Sequence, residues 1–174
     1  MVIDVAHEHM PQVIETTKRL KQTFGKKVDI VAGNVATYEG AVDLFKAGAD
    51  SVKIGIGPGS TCITRIETGC GVPQISAVLE CSKAAREYKG TLICDGGMKN
   101  SGDIVKGLAA GASAVMTGYI FAGIKKLKVS SCQKTEKVIL ILLIFLRKTG
   151  YILKTQGRRF VLFETTPHYS IIIL

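Results

Sequence analysis

The sequence predicts an α/β protein: an incomplete (β/α)8 TIM barrel of about five βα units, followed by a tail of different character. Three observations predict it. Short apolar runs alternate with helix-length amphipathic segments through residues 1–123, which is the rhythm of parallel βα units. Each apolar run is nearly continuous, as in strands covered on both faces. The runs end in polar or glycine-rich tips, "AGN", "GIGPGS", "CDGG" and "MTGY", without the fingerprint turn of a dinucleotide-binding doubly wound sheet. Five units do not close an eight-stranded barrel, so the expectation is strands 4–8 of one.

Val2–Ala6 reads as the first strand, and PQVIETTKRLKQTF (11–24) as a helix in which Val13, Leu20 and Phe24 recur at helical spacing. VDIVAGN (28–34) is the second strand, and YEGAVDLFKAGA (38–49) a helix whose end Gly48 marks. Ser51–Ile56 is the third strand, and a glycine loop follows it. PQISAVLECSKAAREYKG is a helix ending at Gly90, and TLICDGG (91–97) the fourth strand. SGDIVKGLAAGA is the next helix and SAVMTG (113–118) the fifth strand. Ligands of parallel α/β folds sit beyond the carboxyl ends of the strands, so function is sought at those tips.

At 174 residues, 47% hydrophobic, the chain is long enough for one domain with a core. The net charge of +9 is unevenly placed. Residues 1–123 hold 13 Lys and Arg against 12 Asp and Glu, whereas 124–174 hold ten against two. The basic character therefore belongs to the tail, and a nucleic-acid partner is not expected for the first two thirds. Cys62, Cys70, Cys81, Cys94 and Cys132 form no CxxC pair, which argues against a zinc site or a disulfide scaffold and for a reducing, cytoplasmic setting. The opening MVIDVAHEHM resembles neither a signal peptide nor a basic targeting segment. In the tail, "VILILLIFL" (138–146) is too short for a membrane helix, which needs about 20 residues, and reads as a buried or aggregation-prone strand. No membrane association is expected. Residues 124–174 continue no βα rhythm, as a segment translated out of frame would not.

Chemistry concentrates in "GIGPGSTC". Gly55, Gly57 and Gly59 leave amides and carbonyls uncovered, suited to cradling an anion or ringing a cation with carbonyl oxygens. Cys62 beside them is either a thiolate nucleophile or an inert cysteine. Asp95, with Gly96 and Gly97 behind it, suits ribose hydroxyls and phosphate, or forms a plain turn. Gly118 adds amides at the next tip. Asp4 lies in an apolar strand, where a buried carboxylate requires a partner. Asn34 ends its strand on the active side, His7 and His9 are loop residues or metal ligands, and Cys94 is a small core residue.

With these residues placed, "GIGPGSTCITR…TGCGVPQ", "VAGNVAT", "ICDGGMKNSGDIVKGLAAGASAVMTGYIFAG" and "IDVAHEH" together resemble the inosine-monophosphate dehydrogenase and guanosine-monophosphate reductase family, over residues 1–123. The resemblance implies a barrel that binds a purine nucleoside monophosphate and a nicotinamide cofactor, in a homotetramer. It implies Cys62 as the nucleophile that adds to carbon 2 of the purine, with Thr64 near the reacting carbon. Ser60, Asp95, Gly96, Gly97, Gly118 and Tyr119 match positions around ribose and phosphate. Asp4, Asn34 and Gly55 match the cofactor side. The carbonyls of Gly57, Gly59 and Cys62 match a monovalent-cation site, potassium by implication. The dehydrogenase would convert IMP, NAD and water to XMP and NADH through a Cys62 thioimidate. The reductase would convert GMP and NADPH to IMP and ammonia.

"AGNVATYEGA", "GVPQ" and "SGDIVKGLAAGA" look more like the dehydrogenase, and "ISAVLEC" more like the reductase. A non-catalytic nucleotide-binding remnant of a damaged gene is a third reading. The sequence also departs from the family. About three preceding βα units have no counterpart here. No "EAPGE"-like stretch, "RGMGS"-like loop or flap with its water-activating arginine and tyrosine stands in 124–174. Tyr119 replaces a usual serine, Thr61 an aliphatic residue, and "HEHM" stands for "HGHS". The expectation is therefore an impaired or inactive chain.

Overall fold

The computed structural model describes residues 1–121, together with the backbone of three strands further along: Ile139–Leu142, Phe160–Thr165 and His168–Ile173. Within 1–121 the order is β1 (Val2–Asp4), α1 (Pro11–Phe24), β2 (Val31–Val35), α2 (Tyr38–Ala47), β3 (Ser51–Ile54), α3 (Thr64–Glu67), α4 (Gln74–Tyr88), β4 (Thr91–Asp95), α5 (Ser101–Ala109) and β5 (Ala114–Met116), with a 3-10 turn at Tyr119–Phe121. The five strands form one parallel sheet in chain order, each beside its successor. The α/β prediction holds, and no reversal of strand order occurs within the sheet. The later strands, β6 (Ile139–Leu142), β7 (Phe160–Thr165) and β8 (His168–Ile173), form a second sheet in which β8 is central, parallel to β6 and antiparallel to β7. The strand expected in "VILILLIFL" is thus present at β6. Cys132 and the rest of the tail lie outside the described residues.

Local chemistry sets the helix ends. Pro11 opens α1, where its fixed φ suits a first turn and its missing N–H is not needed. Thr37 caps α2, its hydroxyl accepting from the Gly40 amide at 3.2 Å, and Asn100 caps α5 in the same way through the Asp103 amide at 3.0 Å. Helices α2 and α4 lay Leu44, Phe45, Val78 and Ala84 against Ala32, Val52, Ile54, Leu92 and Val115 of the sheet. The other sheet face carries a smaller apolar group, Ile93, Ala114 and Met116.

Each of the five strands is bounded differently from expectation: β3 stops at Ile54 rather than Ile56, β4 at Asp95 rather than Gly97, and β5 covers Ala114–Met116 rather than 113–118. The first strand stops at Asp4 rather than Ala6, although the Val5 amide still reaches the Gly33 carbonyl at 2.9 Å. The second starts at Val31, not Val28, because residues 25–28 are used in turning out of α1, with the Lys27 amide on the Phe24 carbonyl. The short helix α3 was not expected: four residues carry too little pattern to show a period.

The period-2 alternation of the strands places the site. Asp4 is in register with Gly33, Gly33 with Lys53, and Lys53 with Ile93, all in one row across the sheet. Asp95 lies two residues beyond Ile93 and so on the same face. Gly33 is the gap in this row. A Cβ there would stand 2.4 Å from the Lys53 Cβ and 2.6 Å from the Lys53 carbonyl oxygen, and the latter cannot move without the strand. Gly33→Ala is expected to cost about 1–3 kcal/mol, the range for overpacking a filled interior, read as a fall in the urea midpoint.

Candidate functional site

At the carboxyl ends of the strands lie two adjoining features, a polar cleft and an exposed cysteine loop. The cleft, about 260 Å³, is lined by Asp4, Ala6, Asn34, Lys53, Asp95 and Met116, among others. Its centre is Lys53, only 3% exposed, whose ammonium donates to Asp4 Oδ1 at 2.8 Å and to Asp95 Oδ2 at 2.7 Å. Burial works against that ammonium, but the Asp95 and Asp4 carboxylates outweigh it and hold its pKa above the usual lysine value. A register shift between Gly33 and Val35 brings Asn34 into the same cluster. Its Nδ2 donates to the Gly55 carbonyl at 2.8 Å and to Asp95 Oδ2 at 3.0 Å, while its Oδ1 is buried with no partner among the described residues.

The sequence-based view of these residues needs one correction, at Asp4, and one refinement, at Asp95. Asp4 is not a buried carboxylate: its side chain is 54% exposed, because β1 is the edge of the sheet, though the partner it requires is present in Lys53. Asp95 is not a free acceptor. Lys53 and Asn34 hold Oδ2, so Oδ1 is the oxygen left to turn outward.

The cysteine loop stands next to this cluster. Cys62 is exposed, and its thiol donates to the Thr64 hydroxyl at 3.2 Å, since α3 begins at Thr64 and turns the two side chains together. Cys62 is therefore not a buried core cysteine. The Cys62 amide closes a turn onto the Gly59 carbonyl at 3.0 Å. Arg65 pins the loop from behind, donating to the Val72 carbonyl at 2.6 Å. The tip of β4 meets the loop directly: Gly96, at φ 83°, would place a Cβ 3.2 Å from the Gly59 nitrogen, and one on Gly97 would stand 3.2 Å from the Pro58 Cβ. Gln74, the first residue of α4, donates to the Ile54 and Asp95 carbonyls at 2.8 and 3.1 Å and so ties β3 to β4 beneath the loop. Ser60 is exposed on the loop.

Structure thus brings Asp4, Asn34, Gly55 and Asp95 together, and Gly57, Gly59, Ser60, Cys62 and Thr64 with Gly96 and Gly97. Gly118 and Tyr119 follow β5 at the same end of the sheet, Tyr119 exposed. The described bonds join neither of them to the Cys62 loop. His7 is exposed and His9 pairs with Asp43 at 2.9 Å, so His9 is engaged at the surface. Cys94 is buried, as expected, and burial pushes its thiol up to about 11.

Sequence reasoning missed Lys53, Gln74 and Glu8. Lys53 had a readable signal, a lone charge in the apolar strand SVKI.

A family model described as IMP dehydrogenase / GMP reductase domain matches residues 1–136. The chain belongs to the IMP dehydrogenase / GMP reductase family. Among relatives, it is 57% identical over 123 residues to an inosine-5'-monophosphate dehydrogenase of Aquifex aeolicus, covering 71% of this chain and 25% of that one. A Rhodopirellula baltica protein of the same name is 56% identical over 124 residues, covering 71% and 23%. Among solved structures, a cysteine-to-alanine variant of GMP reductase from Trypanosoma brucei in complex with guanosine 5'-monophosphate matches at a TM-score of 0.62 and 51% identity, over 66% of this chain and 24% of that one. The chain spans about a quarter of the length of these family members. No helix among the described residues is long and apolar enough to cross a membrane.

Proposed function

We propose that this chain carries the nucleophile and half of the nucleotide and cofactor surface of a purine-nucleotide oxidoreductase with the (β/α)8 architecture, working in the IMP dehydrogenase direction. The observation that carries the reading is the placement of Cys62, exposed beside the Thr64 hydroxyl on a loop packed against Gly96 and Gly97. A thiolate there can add to carbon 2 of a purine whose phosphate and ribose lie along the glycine tips and Asp95 Oδ1. The nucleotide complex of the Trypanosoma brucei reductase supports a nucleoside monophosphate as the ligand. "AGNVATYEGA" and "GVPQ" favour the dehydrogenase, and "ISAVLEC" keeps the reductase as the alternative.

NAD, or NADP in the alternative, would accept or supply the hydride. The cleft fits a nicotinamide: the orphaned Asn34 Oδ1 is an acceptor for a carboxamide N–H, and Asp4 presents an open carboxylate. Asp4, Asn34 and Gly55 would hold it. The loop also fits a monovalent cation such as potassium. Gly57, Gly59 and Cys62 offer neutral main-chain oxygens, and the Gly59 carbonyl keeps a second lone pair after accepting from Cys62. The four described cysteines are free, which suits a reducing compartment such as the cytoplasm. A homotetramer is the assembly that goes with this reading, with residues 124–174 outside the catalytic unit.

Hydrolysis of the thioimidate needs positioned water-activating groups, and such acid–base assistance contributes about 10²–10⁴-fold. The arginine and tyrosine implied for that step are not matched in this sequence. The chain mixed with IMP and NAD is therefore expected to give a burst of reduced cofactor of at most one equivalent, with the purine left on Cys62 and little turnover after it. Absorbance of the reduced cofactor and intact mass read the two halves of this result. Cys62→Ala should abolish both. IMP binding with no Cys62-dependent burst would instead establish the non-catalytic remnant.

A further inference from the structure

Glu8 stands where the family pattern "HGHS" has glycine. Among the described residues it is a fully buried carboxyl with neither oxygen partnered. Its backbone is fixed on both sides: the amide donates to the Asn34 carbonyl at 2.8 Å, and its carbonyl accepts from the Met10 amide at 2.7 Å. The charges that bear on it are Lys53 from β3 and Asp4 from β1, and Lys53 is in turn paired with Asp95 from β4. On its own segment His7 is exposed, and His9 is paired with Asp43 of α2.

Lys53 has placed two of its three ammonium N–H bonds, on Asp4 and Asp95. The cluster therefore holds one positive and two negative charges, and a third carboxylate would be a second unbalanced charge in a buried place. Burial, with the Asp4 charge added, raises the Glu8 carboxyl to about 8, although Lys53 pulls it down.

We infer that Glu8 is a proton-holding residue behind the cleft wall, which keeps its proton while no ligand is bound and releases it to solvent when a cationic ring settles against Asp4. The inference rests on the reading of the cleft as the cofactor side, and it names the ligand's charge state: the oxidised, positively charged nicotinamide, not the neutral reduced ring. The incoming cation supplies the missing positive charge, so the Glu8 carboxylate then forms without a net increase in buried charge. By linkage, the cation binds the deprotonated cleft more tightly by the same factor by which it acidifies Glu8, about tenfold for each unit.

The test is a carboxyl-carbon NMR titration of chain labelled with 13C-glutamate, the Glu8 resonance being the one that Glu8→Gln removes. Spectra are taken across pH 5–10 alone, with 1-methylnicotinamide as the cation and with nicotinamide as its neutral counterpart. The Met116 methyl in the cleft wall reports occupancy. In the free chain Glu8 is expected to titrate more than two units above the surface glutamates. The cation should lower its midpoint by about one unit or more, and the neutral ring should leave it in place. Asp4→Asn gives a second line, since removing that carboxylate should lower the midpoint without ligand. Should Glu8→Gln not fold, the resonance moved by Asp4→Asn identifies Glu8.

A Glu8 that titrates with the other glutamates overturns the inference. So does a cation that leaves Met116 unmoved, or one that acts no differently from the neutral ring. The free titration needs no ligand, and the burst at Cys62 needs no Glu8 titration. A normal burst with an ordinary Glu8 thus sinks this inference and spares the proposed function, whereas an elevated, cation-sensitive Glu8 with no burst does the reverse.

Discussion

Lys53→Met is expected to destabilise the chain by about 3–5 kcal/mol, the cost of removing one member of a buried ion pair and leaving the other unpaired. The largest share comes from Asp95, whose Oδ2 would keep only the Asn34 amide as donor. Asp4 contributes little, since its carboxylate is more than half exposed and can turn to water. Against a total stability of about 5–15 kcal/mol, such a loss moves a large part of the population toward unfolding. Urea denaturation of the parent and Lys53→Met measures it. The double variant Lys53→Met with Asp95→Asn should recover a substantial part of the loss, because it removes the stranded charge. Equal midpoints for the parent and the single variant would show that the ammonium does not organise the strand tips.

Glu8→Gln is expected to act in the opposite direction, and only over part of the pH scale. The Glu8 carboxyl is held at about 8 against an ordinary value of 4.5. The folded chain thus binds a proton that the unfolded chain loses earlier, so the contribution of Glu8 is fully present below pH 4.5 and is lost as pH rises through 8. Across that window the loss amounts to on the order of 5 kcal/mol, at about 1.4 kcal/mol per unit. Glutamine has no proton to lose. Urea midpoints of parent and Glu8→Gln should therefore lie close together near pH 4, diverge with the variant ahead between pH 4.5 and 8, and run parallel above. Curves that stay parallel throughout would place a charged, solvated Glu8 in the folded chain.

These two residues also show where a sequence gives up its structure and where it does not. The helix over Pro11–Phe24 was legible to both ends, because Val13, Leu20 and Phe24 keep the helical period between a proline and a glycine. The start of β2 was not, since nothing in an apolar run reveals that a turn has used its first residues. For the site, the Cys62 loop was legible through its glycines, and Asp4 as a carboxylate that wanted a partner. The partner was hidden by distance along the chain. Asp4, Lys53 and Asp95 come from three strands, and only the register of those strands through Gly33 sets them in one row. Glu8 was hidden for a different reason. A glutamate between two exposed histidines looks like a solvated turn, and only the closing of the Asn34 carbonyl onto its amide folds it inward.

The unequal burial of the thiols has a practical consequence. Cys62 and Cys70 are exposed, whereas Cys81 and Cys94 are buried and pushed up to about 12 and about 11. An alkylating reagent at neutral pH should modify the first two in the native chain and reach the second two only when helix α4 separates from the sheet. The ratio of modified peptides then gauges intactness without any nucleotide. In a background with Cys70→Ser and Cys132→Ser, the same chemistry becomes a one-position tag at Cys62 that a bound purine would shield.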